Sequence, residues 1–204
     1  MTTDRRTTSS TWAMAAVLLL LACSALLGGC AKKSVDVGEV QPVTVQGTPL
    51  APFESTDGDP AVATTPPALM GSGFDGKPVA IDPSSGPLML VFLAHWCPHC
   101  NREVPRLLQW KASGAVPAGL DVIGITTKVD PNLPNYPPSK WIAQIGWDWP
   151  VMADSAGNDA ADAYGLTGYP YFVVIGADGK VKARHSGEIE VADLTRLVDQ
   201  ALAS

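Results

Sequence analysis

The chain has 204 residues, 46% of them hydrophobic, and a formal net charge of -6. That length holds one ordinary domain with a tail, and a core large enough to fold alone. The acidic balance argues against nucleic acid as a main partner.

Arg5 and Arg6 form a short basic region, residues 12–27 are apolar, and small residues follow. This is the pattern of an export signal, and the apolar run is short for a spanning helix, which needs about 20 residues. It ends in Leu27-Gly28-Gly29-Cys30, which resembles the lipobox of bacterial lipoproteins. The resemblance implies a signal peptide over 1–29 cleaved before Cys30, with Cys30 lipidated. The domain would then lie at the extracytoplasmic face of the bacterial cell membrane. Leu20-Leu21-Ala22-Cys23 is a weaker match, because apolar residues continue beyond Cys23. An uncleaved anchor helix is the alternative, and it puts the domain on the same side.

Residues 30–67 are rich in Pro, Thr, Val, Gly and Asp without sustained periodicity, so a flexible tether is expected there. The alternative is an N-terminal strand or two, with Val43-Thr44-Val45 the best candidate. The folded domain is expected over 68–204.

Residues 69–74 and 77–81 flank Asp75-Gly76 and predict an opening hairpin. The continuous apolar run 88–94 predicts a central strand covered on both faces. Val104, Leu107, Leu108 and Lys111 then recur at helical spacing, with Pro105 expected to kink that helix. Residues 120–126 read as the next buried strand. The proline-rich segment 127–150 carries a short helix over 139–145 and Trp141, Trp147 and Trp149. These tryptophans either pack an inserted helix–loop against the sheet or form a substrate lip. A short strand over 151–153 and a helix over 158–164 follow. Ala177-Asp178-Gly179 joins strands 171–175 and 180–185 as a hairpin. Leu194, Leu197, Val198, Ala201 and Leu202 mark a closing amphipathic helix over 191–203. The class is α/β: a central mixed β-sheet flanked by helices, with an N-terminal hairpin and a helix–loop insertion.

The segment His95-Trp96-Cys97-Pro98-His99-Cys100 follows directly on the central apolar run. A helix starting at Cys97 favours a thiolate there through its free N–H groups and dipole. Cys100, one turn along, is within reach for an intramolecular disulfide. Processing at Cys30 would discard Cys23 and leave Cys97 and Cys100 as the remaining thiols, a redox pair without a structural disulfide. Half a zinc site would need two more ligands, and the mature chain offers only carboxylates and His95, His99 and His185. Haem attachment requires His directly after the second cysteine, where Asn101 stands. No metal and no other cofactor is expected. His95 is expected at the surface, on the rim of the site, and His185 is given no role.

Trp96-Cys97-x-x-Cys100, Pro105 and Gly165-Leu166-Thr167-Gly168-Tyr169-Pro170 together resemble proteins of the thioredoxin fold. More narrowly, they are similar to the membrane-anchored thiol–disulfide oxidoreductases of the TlpA/ResA type, over about residues 69–204. The resemblance implies a thioredoxin-like fold, an exposed nucleophile at Cys97, a buried resolving thiol at Cys100 and a redox disulfide Cys97–Cys100. It implies a cis Pro170 facing that disulfide, with Tyr169 lending its backbone to a substrate strand. Tyr169 is bulkier than the residue usual there in thioredoxins. Trp96 is either an apolar wall beside the site or simple packing. Pro98-His99 resembles the dipeptide of strongly oxidising periplasmic disulfide donors, where His99 would stabilise the Cys97 thiolate. Glu103 completes the Cys-x-x-Cys-x-x-Glu pattern of cytochrome-maturation reductases and would relay the Cys100 proton. Val91 stands where cytosolic thioredoxins have a buried Asp.

The implied function is disulfide exchange with exported protein thiols and disulfides, with the lipid anchor in the membrane and a membrane redox partner. Glu103 and the family frame favour a reductase of the cytochrome c maturation type, while His99 favours a disulfide donor. A different class stays open, a thioredoxin-like module that binds Cu(I) through Cys97, Cys100 and His99 or holds a partner protein. A thiol peroxidase is a third reading.

Overall fold

The computed structural model describes residues 38–204 together with Met1. The expected signal peptide and Cys30 lie outside the described residues. The chain divides into two units, Met1–Lys33 and Ser34–Ser204, and the second carries everything below.

The apolar run becomes β4 (Leu88–Leu93), with all six residues buried; the strands are numbered here in chain order. Its neighbours are β5 (Asp121–Thr126), parallel, and β7 (Tyr171–Ile175), antiparallel. Leu88 stands opposite Asp121 on one side and Ile175 on the other. β6 (Val151–Ala153) adds parallel to β5, and β8 (Val181–Ser186) adds antiparallel to β7. The opening hairpin forms as β2 (Ala68–Ser72) and β3 (Pro78–Ile81), with β1 (Thr44–Gln46) on the other side of β2. Among the described residues the order is β1-β2-β6-β5-β4-β7-β8, with β3 also paired to β2. The helices are α1 (Pro98–Ala112), α2 (Pro138–Gln144), α3 (Asp159–Ala163) and α4 (Val191–Leu202).

Successive side chains of a strand point to opposite faces, so β4 serves two cores. Met89, Val91 and Leu93 pack with Val104, Leu107 and Trp110 of α1 and with Leu194 and Val198 of α4. Leu88, Leu90 and Phe92 pack with Ala160 and Ala161 of α3, and with Leu50, Phe53 and Ala61. Over the described residues 38–67, this second core replaces the expected tether with a packed segment. α3 is five residues long, too short to cover its face of the sheet, and the segment leading to β2 fills the gap. Burying a side chain such as Leu50 or Phe53 contributes roughly 1.5–3 kcal/mol. Val43-Thr44-Val45 corresponds to β1, one residue out of register with the expectation.

The packed segment is also tied by polar contacts. The Leu50 N–H donates to Ala163 O at 2.9 Å, and the Phe53 N–H donates to Gly165 O at 2.8 Å. Arg184, 1% exposed, donates to both carboxylate oxygens of Asp59, to Ala51 O and to the Tyr171 hydroxyl. Gly165 lies at φ +67, and a Cβ there would fall 2.3 Å from Ala51 O, so the crossing admits glycine alone.

The inward row of α1 is Cys100, Glu103, Val104, Leu107 and Trp110, whereas Leu108 and Lys111 are half-buried. The expected stripe is thus turned, because Cys100 and Glu103 face the core as well as the aliphatic residues. The helix continues through Pro105. Trp141 and Trp147 are buried, and Trp147 lies flush against Gly124 of β5. These tryptophans pack the insertion against the sheet.

Candidate active site

β4 ends at Leu93, and α1 begins at Pro98 with Cys97 as its N-cap, at φ -76 and ψ 119. Proline suits this first helical position, because its missing N–H would have no partner there. The Cys97 carbonyl accepts from the Asn101 side chain at 2.9 Å, and Asn101 Oδ1 accepts the Trp141 indole N–H at 2.9 Å. The inserted α2 therefore braces the first turn of α1.

Both cysteines are free thiols. Cys97 is 4% exposed rather than the open nucleophile expected, because strand end and helix start both fold into the core that Trp96 and Tyr169 pack against. A hydrogen bond from the Cys100 thiol holds the Cys97 thiol down to about 6, against the cost of burial. The backbone N–H groups of Cys100 and His99 and the nearby His99 ring add to the effect. The same thiol–thiol bond, with burial, pushes Cys100 far upward. One member of the pair is thus poised as a thiolate, and the other keeps its proton.

Glu103 is 0% exposed, one turn beyond Cys100. Its Oε2 accepts the Ile189 N–H at 3.1 Å and Arg106 at 3.3 Å, while Oε1 has no partner among the described residues. Burial raises this carboxyl above its ordinary range despite those two donors.

The Tyr169–Pro170 peptide bond is cis. The rings of Tyr169 and Trp96 meet edge to face at 5.6 Å, and the Trp96 indole donates to Lys128 O at 2.8 Å. The Tyr169 hydroxyl is buried without a partner among the described residues, and burial raises it. His95 is 0% exposed, contrary to the rim position expected. Its Nδ1 lies 2.7 Å from Pro134 O, which can only accept, and its Nε2 accepts the Asp130 N–H at 3.2 Å. Those partners fix a neutral ring that pins the loop beside Trp96, and burial lowers its basicity.

The His99 side chain is directed to Glu188, in the loop after β8, with Nδ1 2.7 Å from Oε1. Glu188 also accepts from Arg102 at 2.6 Å and from Arg106 at 2.7 Å. Arg102, then His99 and Arg106, hold its carboxyl down to about 2. No local sequence pattern marks this cluster. Arg102 and Arg106 share one face of α1 by their spacing, but Glu188 is 86 positions from Arg102, a separation no local pattern spans.

A parallel–antiparallel sheet with a dithiol at the start of its first long helix and a cis proline loop close by is the arrangement of a thioredoxin-like thiol–disulfide oxidoreductase. Comparison with known proteins agrees. The chain belongs to the Redoxin family, which matches residues 56–198. The thiol:disulfide interchange protein HelX of Rhodobacter capsulatus is 26% identical over 123 residues, covering 60% of this chain and 65% of that protein. The thiol-disulfide oxidoreductase ResA of Halalkalibacterium halodurans is 30% identical over 101 residues, covering 48% and 53%. The chain therefore spans less than two thirds of the length of these curated relatives. Among solved structures, a thioredoxin-family thiol:disulfide interchange protein from Chlorobium tepidum TLS superposes at TM-score 0.55 with 29% identity, over 68% of this chain and 96% of that one. StoA from Bacillus subtilis, at 16% identity and TM-score 0.51 over 68% and 98%, shares the fold.

Proposed function

We propose that this chain is a lipid-anchored disulfide reductase acting on exported proteins at the outer face of a bacterial membrane. The observation that carries the chemistry is the asymmetry of the dithiol, with Cys97 held near 6 and Cys100 buried and protonated. The Cys97 thiolate attacks a substrate disulfide. A Cys97–substrate S–S bond forms, the substrate S–S bond breaks, and one substrate sulfur leaves as a thiolate. Cys100 then passes its proton towards Glu103 and attacks Cys97, closing the Cys97–Cys100 disulfide and releasing the second substrate thiol. Two electrons pass to the substrate.

Glu103, in the Cys-x-x-Cys-x-x-Glu pattern, supports a reductase of the cytochrome c maturation type, preparing haem-acceptor thiols. The Arg102 guanidinium and the His99 ring near Cys97 favour the disulfide-donor reading instead. Equilibration with glutathione decides between them. The reductase is expected towards about -270 mV, and a value near -120 mV overturns it. A Cys100→Ser variant expressed in cells should trap mixed disulfides at Cys97, and those trapped partners name the substrates.

Export and anchoring rest on Arg5-Arg6, the apolar run 12–27 and the lipobox ending in Cys30. Metabolic labelling with a fatty acid should mark the wild-type chain and not Cys30→Ala, and an unlabelled wild type refutes the anchor.

A further inference from the structure

The Nδ1 atom of His99 lies 2.7 Å from Glu188 Oε1 and 2.8 Å from Arg102 Nη2. A carboxylate oxygen only accepts and a guanidinium nitrogen only donates, so this one ring nitrogen cannot serve both. If Nδ1 carries the proton, it donates to Glu188. If Nδ1 is bare, it accepts from Arg102. The Arg102 nitrogen has an outlet in either case, because it lies 2.6 Å from the same Glu188 oxygen.

We propose that Glu188 is a positioning residue of the dithiol site: by accepting from His99 Nδ1 it holds the ring in the Nδ1–H form and fixes its place beside Cys97. This deepens the thiol-exchange reading and rests on it. Glu188 belongs to neither the CxxC helix nor the cis proline loop. It stands at the centre of the contacts, with Arg106 bridging it at 2.7 Å to Glu103 at 3.3 Å.

The charged and titratable groups around His99 come from one helix and two loops. α1 and its cap supply Cys97, Cys100, Arg102, Glu103 and Arg106, and the loop after β8 supplies Glu188 and Glu190. Tyr169 of the cis proline loop is close enough to both cysteines to feel their charge. Of these, Glu188 is the acceptor on the His99 ring, and Arg102 is the donor competing for the same atom. Removing Glu188 leaves Nδ1 to Arg102, which can only donate, so the ring proton moves to Nε2.

Two routes from Glu188 to Cys97 predict opposite signs. Acting through His99, loss of Glu188 releases the ring from its place beside the thiolate, so the lowering that His99 contributes is lost and Cys97 ionises at higher pH. Acting directly, loss of a negative neighbour makes Cys97 ionise at lower pH. The test measures the reduced full-length chain by two readouts that need no substrate. Nitrogen-15 spectra of the histidine rings report which nitrogen of His99 carries the proton, and thiolate absorbance reports the Cys97 titration. Glu188→Ala should move the His99 proton from Nδ1 to Nε2 and raise the Cys97 midpoint by about half a pH unit, the half-exposed ring blunting the effect. In a His99→Ala background the same substitution should no longer raise it. Arg102→Gln, which removes the competing donor, should leave the proton on Nδ1. An unchanged ring in Glu188→Ala, or a midpoint that falls equally in both backgrounds, overturns the proposal. Thiol exchange is assayed separately, so a chain without exchange activity but with these shifts would fail the functional reading and not this one.

Discussion

Glu103 takes the Ile189 backbone N–H on one carboxylate oxygen and leaves the other without a partner among the described residues, one turn from Cys100. The group is raised above its ordinary value of 4.5 by burial, so from about that pH upward the unfolded chain releases a proton that the folded chain keeps. Its contribution to stability is therefore complete below 4.5 and is lost as pH rises through the raised folded value. Glu103→Gln should melt level with wild type at pH 4 and above it at pH 8. Parallel melting curves across that range would contradict the assignment. The same variant should slow closure of the Cys97–Cys100 disulfide by roughly tenfold or more in stopped-flow exchange, since the nearby proton acceptor is gone.

Alkylation by iodoacetamide should report Cys97 alone, rising through a midpoint near 6 and flat above about pH 8. The largest contribution to that midpoint is the hydrogen bond from the Cys100 thiol. Cys100→Ala should accordingly shift it upward. A midpoint that stays in place would mean that the helix start, rather than the second thiol, holds the charge.

Asp59 sits in the segment leading to β2, against the guanidinium of Arg184 on β8. Burial disfavours its charge, but Arg184 and the Ala61 N–H outweigh that and keep the carboxyl below its usual range. Asp59→Ala strands a buried cation, which costs about 3–5 kcal/mol. Urea denaturation should show that loss. Asp59→Ala with Arg184→Met should recover much of it, because no unpaired charge remains.

At Gly124 an added Cβ would lie 2.8 Å from the Trp147 ring, so Gly124→Ala must displace the indole. Overpacking of this kind costs about 1–3 kcal/mol. Tryptophan emission should shift to the red as Trp147 leaves its buried seat. Unchanged emission and stability would show that the insertion yields easily.

The central strand, the dithiol helix and the opening hairpin were legible because each has its signal within a few residues: the apolar run, the Cys–Cys spacing, the Asp75-Gly76 turn. The second core was not. Leu50, Phe53 and Ala61 are scattered among prolines and glycines without a period, and what orders them is the uncovered face beside a five-residue helix. His95 was misplaced for a related reason. A histidine is taken for a surface residue until a backbone carbonyl and a backbone N–H satisfy both its nitrogens, and those come from residues 134 and 130. Glu103 stood out by motif, whereas Glu188 had only its charge to mark it and needed the fold to bring it to α1.

Arg184 and Asp59 are 125 positions apart, and their pairing ties the segment that carries Leu50 and Phe53 to the far edge of the sheet. Pairings so distant meet their loop-closure entropy before any contact rewards it, and they form late. A nascent chain that has already extruded the 50–61 stretch must wait for nearly the whole remaining length before β8 arrives. Until that moment Asp59 has no guanidinium to pair with, so a chain cut short before β8 leaves the 50–61 stretch without its buried ion pair.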